Sequence, residues 1–279
     1  MSRFLMGLAS RVPLAVLHAL GAWLGWAIYG LSPTYRRHLR ENLQAAGFSD
    51  AATRRAAIAG AGRQLAELPY IWLRPRAEVI AKVKRLEGMA HVDVARAAGK
   101  GMVFLTPHLG CFEVTAMAAA PQFPITVLYR PPKFAWLQPL IEEGRGAGNV
   151  RLARADYSGV RKLLVALSRG EAVGMLPDQV PGEGEGAWAE FFGKPAYTMT
   201  LALRLARRSG AACLLAWGER LPRGEGYVIH VRPMPPAEPG ESAARHLNRA
   251  IEALVRESPG QYLWGYNRYK RPRGASAPP

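Results

Sequence analysis

Cysteine is nearly missing. Cys111 and Cys213 are the two in 279 residues, and neither sits in a C-x-x-C pair. That excludes a disulfide framework or a thiolate metal site as the organising feature and suits a reducing compartment. Acidic residues are also scarce: 37 Lys+Arg stand against 21 Asp+Glu, a formal charge of +16. Such an excess favours anionic partners, whether nucleic acid, anionic lipid or an acidic protein. There is no zinc-finger spacing, RNP-like aromatic signature or internal repeat, and the arginines are spread rather than blocked, which weakens the nucleic-acid reading. Hydrophobic residues make up 49%, enough for one large domain or two small ones with a substantial core.

Charge is absent from one long stretch. Val12 to Leu31, "VPLAVLHALGAWLGWAIYGL", holds no Asp, Glu, Lys or Arg. That is about the length that crosses a bilayer core as a helix. Trp23, Trp26 and Tyr29 are residues of the interfacial type, and the heavier basic flank, Arg36, Arg37 and Arg40, follows the run. This arrangement keeps the rest of the chain in the cytoplasm. A cleaved signal peptide would need a shorter core and a small-x-small site. Pro13, His18 and several Gly temper the hydrophobicity, so a span and an interfacial helix both stay open. The domain boundaries are an N-terminal membrane anchor over 1–34, a catalytic domain over 35–273 and a disordered tail over 274–279.

Helical texture covers Tyr35–Leu43 and Asp50–Pro69, and the aromatic "PYIWLRP" is expected to end the second helix. Beyond Pro75 apolar strands alternate with helices. "VIAKVKRLEG", "MVFLTP", "PITVLYRPP", "EAVGMLPDQ", "AACLLAWGER" and "GYVIHVRPM" read as strands. "HVDVARAAGKG", Glu113–Ala120, Ser158–Arg169, Thr198–Ser209 and Ser242–Glu257 read as helices. The predicted fold is α/β, a mixed, mostly parallel sheet flanked by helices, with an N-terminal membrane helix. Polar residues follow the strand ends in turn: His108, Arg130, Asp178 and Glu219. The carboxyl ends of the strands form the usual crevice in such sheets.

His108 and Glu113 form H-x-x-x-x-E. That spacing does not share a helix face, so a helical metal pair is excluded. His108 leaves a strand, and Gly110 permits a tight bend. There Glu113 can swing back to accept a hydrogen bond from Nδ1–H and leave the other nitrogen as a base aimed into the crevice. A loop histidine merely bonded to a nearby acid fits the same letters. Cys111 is read as a small packing residue rather than a nucleophile.

"TPHLGCFEV", "LYRPPK", "GMLPDQVPGEGEGAWAEFFGKPAYTMT", "ARRSGAACLLAWGER" and "PGQYLWGYNRYKRP" occur in the order seen in the bacterial lipid A biosynthesis acyltransferases. The chain resembles that lauroyl/myristoyl family from about Ala9 to Arg273, and through it the glycerolipid acyltransferases, whose equivalent motif is H-x4-D. The resemblance implies an inner-membrane enzyme with its site on the cytoplasmic face. It would move a fatty acyl chain from acyl carrier protein to a hydroxyl of a lipid A precursor. No cofactor, metal or nucleic acid is implied; acyl carrier protein brings the co-substrate. His108 would be the base and Glu113 its partner. Arg130 matches the family's Arg-Pro segment, and Asp178, followed by Gln179, its Pro-Asp segment, as substrate or transition-state contacts. Pro132-Lys133 departs from the Arg-Pro-Asn-Asp-Asn type, which leaves the acceptor contact open.

A thioester donor needs no protein nucleophile, and backbone N–H groups between Gly110 and Glu113, or Arg130, would meet the oxyanion. Phe191 and Phe192 either line an acyl tunnel or belong to the core. The aromatic and basic "QYLWGYNRYKRP" touches headgroups or packs. The competing functions are acyl transfer to another glycolipid or phospholipid, such as a phosphatidylinositol mannoside, a non-enzymatic basic binder, and a Cys hydrolase.

Overall fold

A computed structural model describes residues 2–132, 134–146 and 148–278. The first third is helical: α1 (Ser2–Ser10), α2 (Leu14–Leu31), α3 (Pro33–Ala45), α4 (Ala51–Leu73) and α5 (Arg76–Ile80). Alternation follows, with β1 (Val83–Glu87), α6 (Met89–Ala97), β2 (Met102–Leu105), α7 (Glu113–Ala119) and β3 (Ile125–Tyr129). Then come α8 (Gln138–Arg145), β4 (Val150–Arg154), α9 (Tyr157–Ser168), β5 (Ala172–Met175), β6 (Gly186–Phe191) and β7 (Lys194–Met199). The chain closes with α10 (Leu201–Ser209), β8 (Ala212–Arg220), β9 (Tyr227–Pro233) and α11 (Ala243–Glu257). Helix starts follow side-chain chemistry. Asp50 accepts from Thr53 N–H, Asp156 from Gly159 N–H and Ser242 from Arg245 N–H, each satisfying an otherwise orphaned donor.

Seven strands form one sheet in the order β1-β9-β8-β2-β5-β3-β4. Pairing is parallel except between β8 and β9, which is the mixed, mostly parallel sheet expected. All four residues of β2 and of β5 are buried. Alternation along β2 assigns its side chains to two cores. Val103 and Leu105 pack with Leu163 of α9 and Leu247 of α11; Met102 and Phe104 pack with Val92 of α6 and Met117 of α7.

The segment expected as an anchor is docked along the domain. Helix α2 is long and apolar enough to cross a membrane, yet it packs lengthwise on α4 through glycine. A methyl group on Gly62 would run into the Gly21 carbonyl, and one on Gly25 into the Ile58 carbonyl. Leu14, Leu17 and His18 face inward, while Val16, Leu20, Trp23, Leu24 and Leu31 face out. His18 Nε2 lies 2.9 Å from Glu67 Oε2, and Glu67 also accepts from Arg220 Nε at 3.0 Å and the Tyr227 hydroxyl at 3.0 Å.

Three expectations change. Helix α4 continues through Pro69 to Leu73. Proline removes one N–H there, and Leu65, whose carbonyl loses it, is exposed to water. Strand β4, which carries Arg151 and Arg154, and helix α8 were not foreseen. Residues Gly186 to Met199 form the hairpin β6–β7, turning on Phe192 and Gly193 at φ 47° and 74°, and β7 occupies the expected start of α10. At the tail, the Trp188 indole N–H donates to the Ser276 carbonyl, 3.1 Å.

Candidate active site

Strands β2 and β5 lie in register, with Leu105 opposite Met175. Past that pair both chains leave by the same route, Thr106-Pro107-His108 and Leu176-Pro177-Asp178. Proline disfavours helical backbone in the residue before it, and Thr106 N–H extends the ladder to the Met175 carbonyl, 3.0 Å. Two parallel strands extended equally bring their next side chains together. His108 N–H donates to Asp178 Oδ2 at 2.9 Å, and His108 Nδ1 lies 2.8 Å from Asp178 Oδ1.

Asp178 is buried. Burial alone would raise its pKa, but the His108 charge and the ring and backbone N–H donors outweigh burial and hold the carboxyl below its ordinary value. Asp178 is therefore an ionised acceptor at neutral pH, and it assigns the proton to Nδ1. The lone pair is left on Nε2, where the Gln179 amide nitrogen stands 3.1 Å away. The Phe112 ring meets the imidazole edge-on at 4.8 Å.

The expected carboxylate is elsewhere. Glu113 Oε2 accepts from the Trp72 indole at 3.1 Å and from Arg145 Nε at 2.7 Å, and its other oxygen pairs with Arg145 Nη2. Glu113 opens α7 and points toward the end of α4 and α8, so it does not hold the imidazole. Gly110 also changes role. Its φ is 60°, and a methyl group there would strike the Gly218 carbonyl. Its N–H is taken by the Gln261 carbonyl at 3.0 Å, and that of Cys111 by the Gly218 carbonyl at 2.7 Å. Neither amide is available to an oxyanion. Among the described residues, the N–H groups of Phe112 and Glu113 have no acceptor.

Beside this turn opens an apolar cleft with about 880 Å3 of empty volume. Phe104, Met117, Phe123, Ala216 and Ile229 line it, with Gly174 leaving space in β5. Thr106 and Phe112, which flank His108, and the Glu113–Arg145 pair also border it. Its wall is almost wholly hydrocarbon, the character of a site for an apolar chain.

Residues 3–271 match the family described as bacterial lipid A biosynthesis acyltransferase. The chain belongs to that family. It is 29% identical to the lipid A biosynthesis lauroyltransferase of Escherichia coli (strain K12), over 96% of this chain and 90% of that one. It is 29% identical to the lipid A biosynthesis palmitoleoyltransferase of the same strain, over 77% of this chain and 71% of that one. A lipid A biosynthesis acyltransferase of Haemophilus influenzae is 26% identical over 63% of this chain and 56% of its own. The protein is thus an acyltransferase of the lipid A biosynthesis family.

Other expected residues of this acyltransferase fall as follows. Arg130 is exposed past the end of β3, beyond β5; among the described residues it makes no hydrogen bond or ion pair, and it does not line the cleft. Lys133, where the sequence departs from the family pattern, lies outside the described residues. Glu219 turns to His230 Nε2, 2.9 Å away, rather than to His108. Cys111 is buried, and burial, then the Glu67 charge, push its thiol far above the ordinary value; it is no thiolate nucleophile. Phe191 and Phe192 are core residues packed with Trp264 and Tyr269. The segment Gln261–Arg268 packs and positions: Leu263 N–H holds the His108 carbonyl at 3.1 Å, and Arg268 is buried on the Tyr197 carbonyl at 2.8 Å. Among the described residues no three His, Cys, Asp or Glu side chains come together as a metal site.

Asp178 as the partner of His108 escaped the sequence reading. The signal was present in "LTPH" and "MLPD": two apolar strands, each followed by x-Pro and then an ionisable residue.

Proposed function

We propose that the protein transfers a fatty acyl chain from acyl carrier protein to a hydroxyl of a lipid A precursor, with His108 as general base. The observation that carries this is the His108–Asp178 pair, set in a turn whose Thr106 and Phe112 line an apolar cleft, in a chain of this family. The acceptor hydroxyl gives its proton to Nε2 as its oxygen bonds to the thioester carbonyl carbon. The Phe112 and Glu113 amides stabilise the oxyanion. Collapse breaks the carbon–sulfur bond, and the imidazolium proton goes to the departing thiolate. Asp178 fixes the tautomer and stabilises the imidazolium. Gln179 occupies Nε2 at rest and yields to the hydroxyl.

The acyl chain takes the cleft beside His108, and Glu113 with Arg145 shapes its mouth. Arg130 stands outside this pair as a cation for an acceptor phosphate. An excess of +16 charges suits an acidic carrier and a phosphorylated acceptor at the cytoplasmic face of the inner membrane. Most exposed large apolar side chains among the described residues lie in α1 and α2, including Phe4, Leu8, Leu20 and Trp23, so that face meets the bilayer. The test is acyl transfer with purified components. His108→Ala is expected to abolish product with the fold intact by circular dichroism, and full activity in that variant would refute the assignment. An unchanged lipid A mass profile in cells lacking the gene would move the acceptor to another lipid.

A further inference from the structure

A second cleft lies between the docked N-terminal helix and the domain, with about 1230 Å3 of empty volume. Its walls are small residues at helical spacing: Ala15 and Ala19 on α2, Ala56 and Gly60 on α4. Arg220 lies at its base, and Arg63 and Arg223 also line it. None of its lining residues borders the apolar cleft. It meets the active-site turn through Gln261, whose carbonyl holds Gly110.

Charge in this cleft is unbalanced. Glu67 is committed to Arg220, His18 and Tyr227, and Glu219 to His230. Among the described residues, Arg63 and Arg223 make no ion pair and donate to no acceptor. Arg63 is half-buried, and burial, then the nearby Arg220 charge, lower its pKa from the ordinary value against the opposing charge of Glu67. Arg223 is held at φ 54°, where a residue with a side chain is uncommon. The turn that holds it packs on α2, because Gly224 approaches the Ala15 backbone too closely for a side chain. Next to Ala15 and Ala19, α2 exposes Val16, Leu20 and Trp23, which follow one another along one side of the helix. A recess lined by two guanidinium groups that form no ion pair among the described residues, one half-buried and one exposed, and flanked by an apolar stripe, matches an amphiphile with an anionic head.

We propose that this cleft binds the headgroup of an anionic phospholipid. Arg63 and Arg223 take the phosphate, and the hydrocarbon lies along Val16, Leu20 and Trp23. The lipid seals the seam between α2 and the domain and seats it at the bilayer surface. The proposal rests on the membrane reading above and is independent of the chemistry at His108.

The experiment follows thermal unfolding of the full-length protein in detergent. The probes are monomeric dihexanoyl phosphatidylglycerol, dihexanoyl phosphatidylcholine and inorganic phosphate. Phosphatidylglycerol is expected to raise Tm in a saturable way, as a ligand of the folded state must, and the other two are not. Arg63→Gln with Arg223→Asn, chosen because Asn tolerates left-handed backbone, is expected to abolish that shift while leaving Tm without lipid unchanged. An equal rise with inorganic phosphate would overturn the lipid assignment in favour of a free-phosphate site. A phosphatidylglycerol shift that survives the double substitution, or no shift at all, would overturn the proposal. His108→Ala is expected to lose transfer and keep the lipid shift, so the two readings fail separately.

Discussion

His108 and His18 each sit against a buried carboxylate at nearly the same distance, 2.8 Å from Asp178 and 2.9 Å from Glu67. Their surroundings separate them. Glu67 is saturated by Arg220 and Tyr227 and ties α2 to α4, β8 and β9. Among the described residues Asp178 pairs with no cation but His108, whose Nε2 meets the Gln179 amide in a turn whose Thr106 and Phe112 line the apolar cleft. A histidine–carboxylate pair is thus structural where the carboxylate is shared with a buried arginine. It is equipped for chemistry where the carboxylate is left to the histidine and the second nitrogen meets only a neutral group, the Gln179 amide.

The sharpest break of that comparison is functional. His108→Ala and Asp178→Asn are expected to lower kcat by at least about 10²–10⁴-fold, whereas His18→Ala lowers the melting temperature and leaves kcat near wild type in detergent. Initial rates and melting curves on the same preparations check both halves. If Asp178→Asn were as active as wild type, the pair would have no role in transfer.

Next in size is Glu67→Gln. It strands Arg220 in the core and is expected to cost about 3–5 kcal/mol in denaturant unfolding. Acid probes the same group. Burial pushes Glu67 up, but Arg220 and His18 dominate and lower it from 4.5 to about 2. The unfolded chain therefore takes the proton first as pH falls. The stability from Glu67 is complete above its unfolded pKa and is lost through the folded one, a decline of about 3 kcal/mol between roughly pH 4.5 and 2. Asp178, also lowered, adds in the same direction. Guanidinium titrations at successive pH values should show the slope, and Glu67→Gln should flatten it.

A smaller effect separates the two carboxylates near the turn. Glu113→Gln and Arg145→Gln are each expected to reduce kcat/KM by about 10–100-fold, the worth of one charge-assisted bond. The double variant should be no worse than either single one, because the two side chains act as one pair. Additive losses would show that Glu113 works on its own. Smallest is Gln179→Ala, which removes one neutral hydrogen bond to Nε2 and is expected to change kcat only a few-fold.

Much of the fold was legible because periodicity is local. The runs "MVFL", "AVGM" and "CLLAW" are strands in the structure, and helices stand over the spans read from Asp50 and from Ser242. Strand β4 was missed because "VRLAR" carries two arginines in five residues, as an edge strand can. Proline in "PYIWLRP" signalled an end that packing of Tyr70, Ile71 and Trp72 overrode. In the site, His108 and Gly110 were found from their turn, but Glu113 was assigned by nearness in sequence.

The sequence by itself determined the sheet class, the apolar N-terminal helix, the family resemblance and the place of His108 at the end of a buried strand. Each depends on residues close together in the chain. Tertiary structure alone decided that Asp178 holds His108, that Glu113 serves Arg145 and Trp72, and that α2 is docked through glycine and His18. Those outcomes depend on strand register and helix approach, which bring together residues as far apart as His108 and Asp178 and which no local spacing encodes.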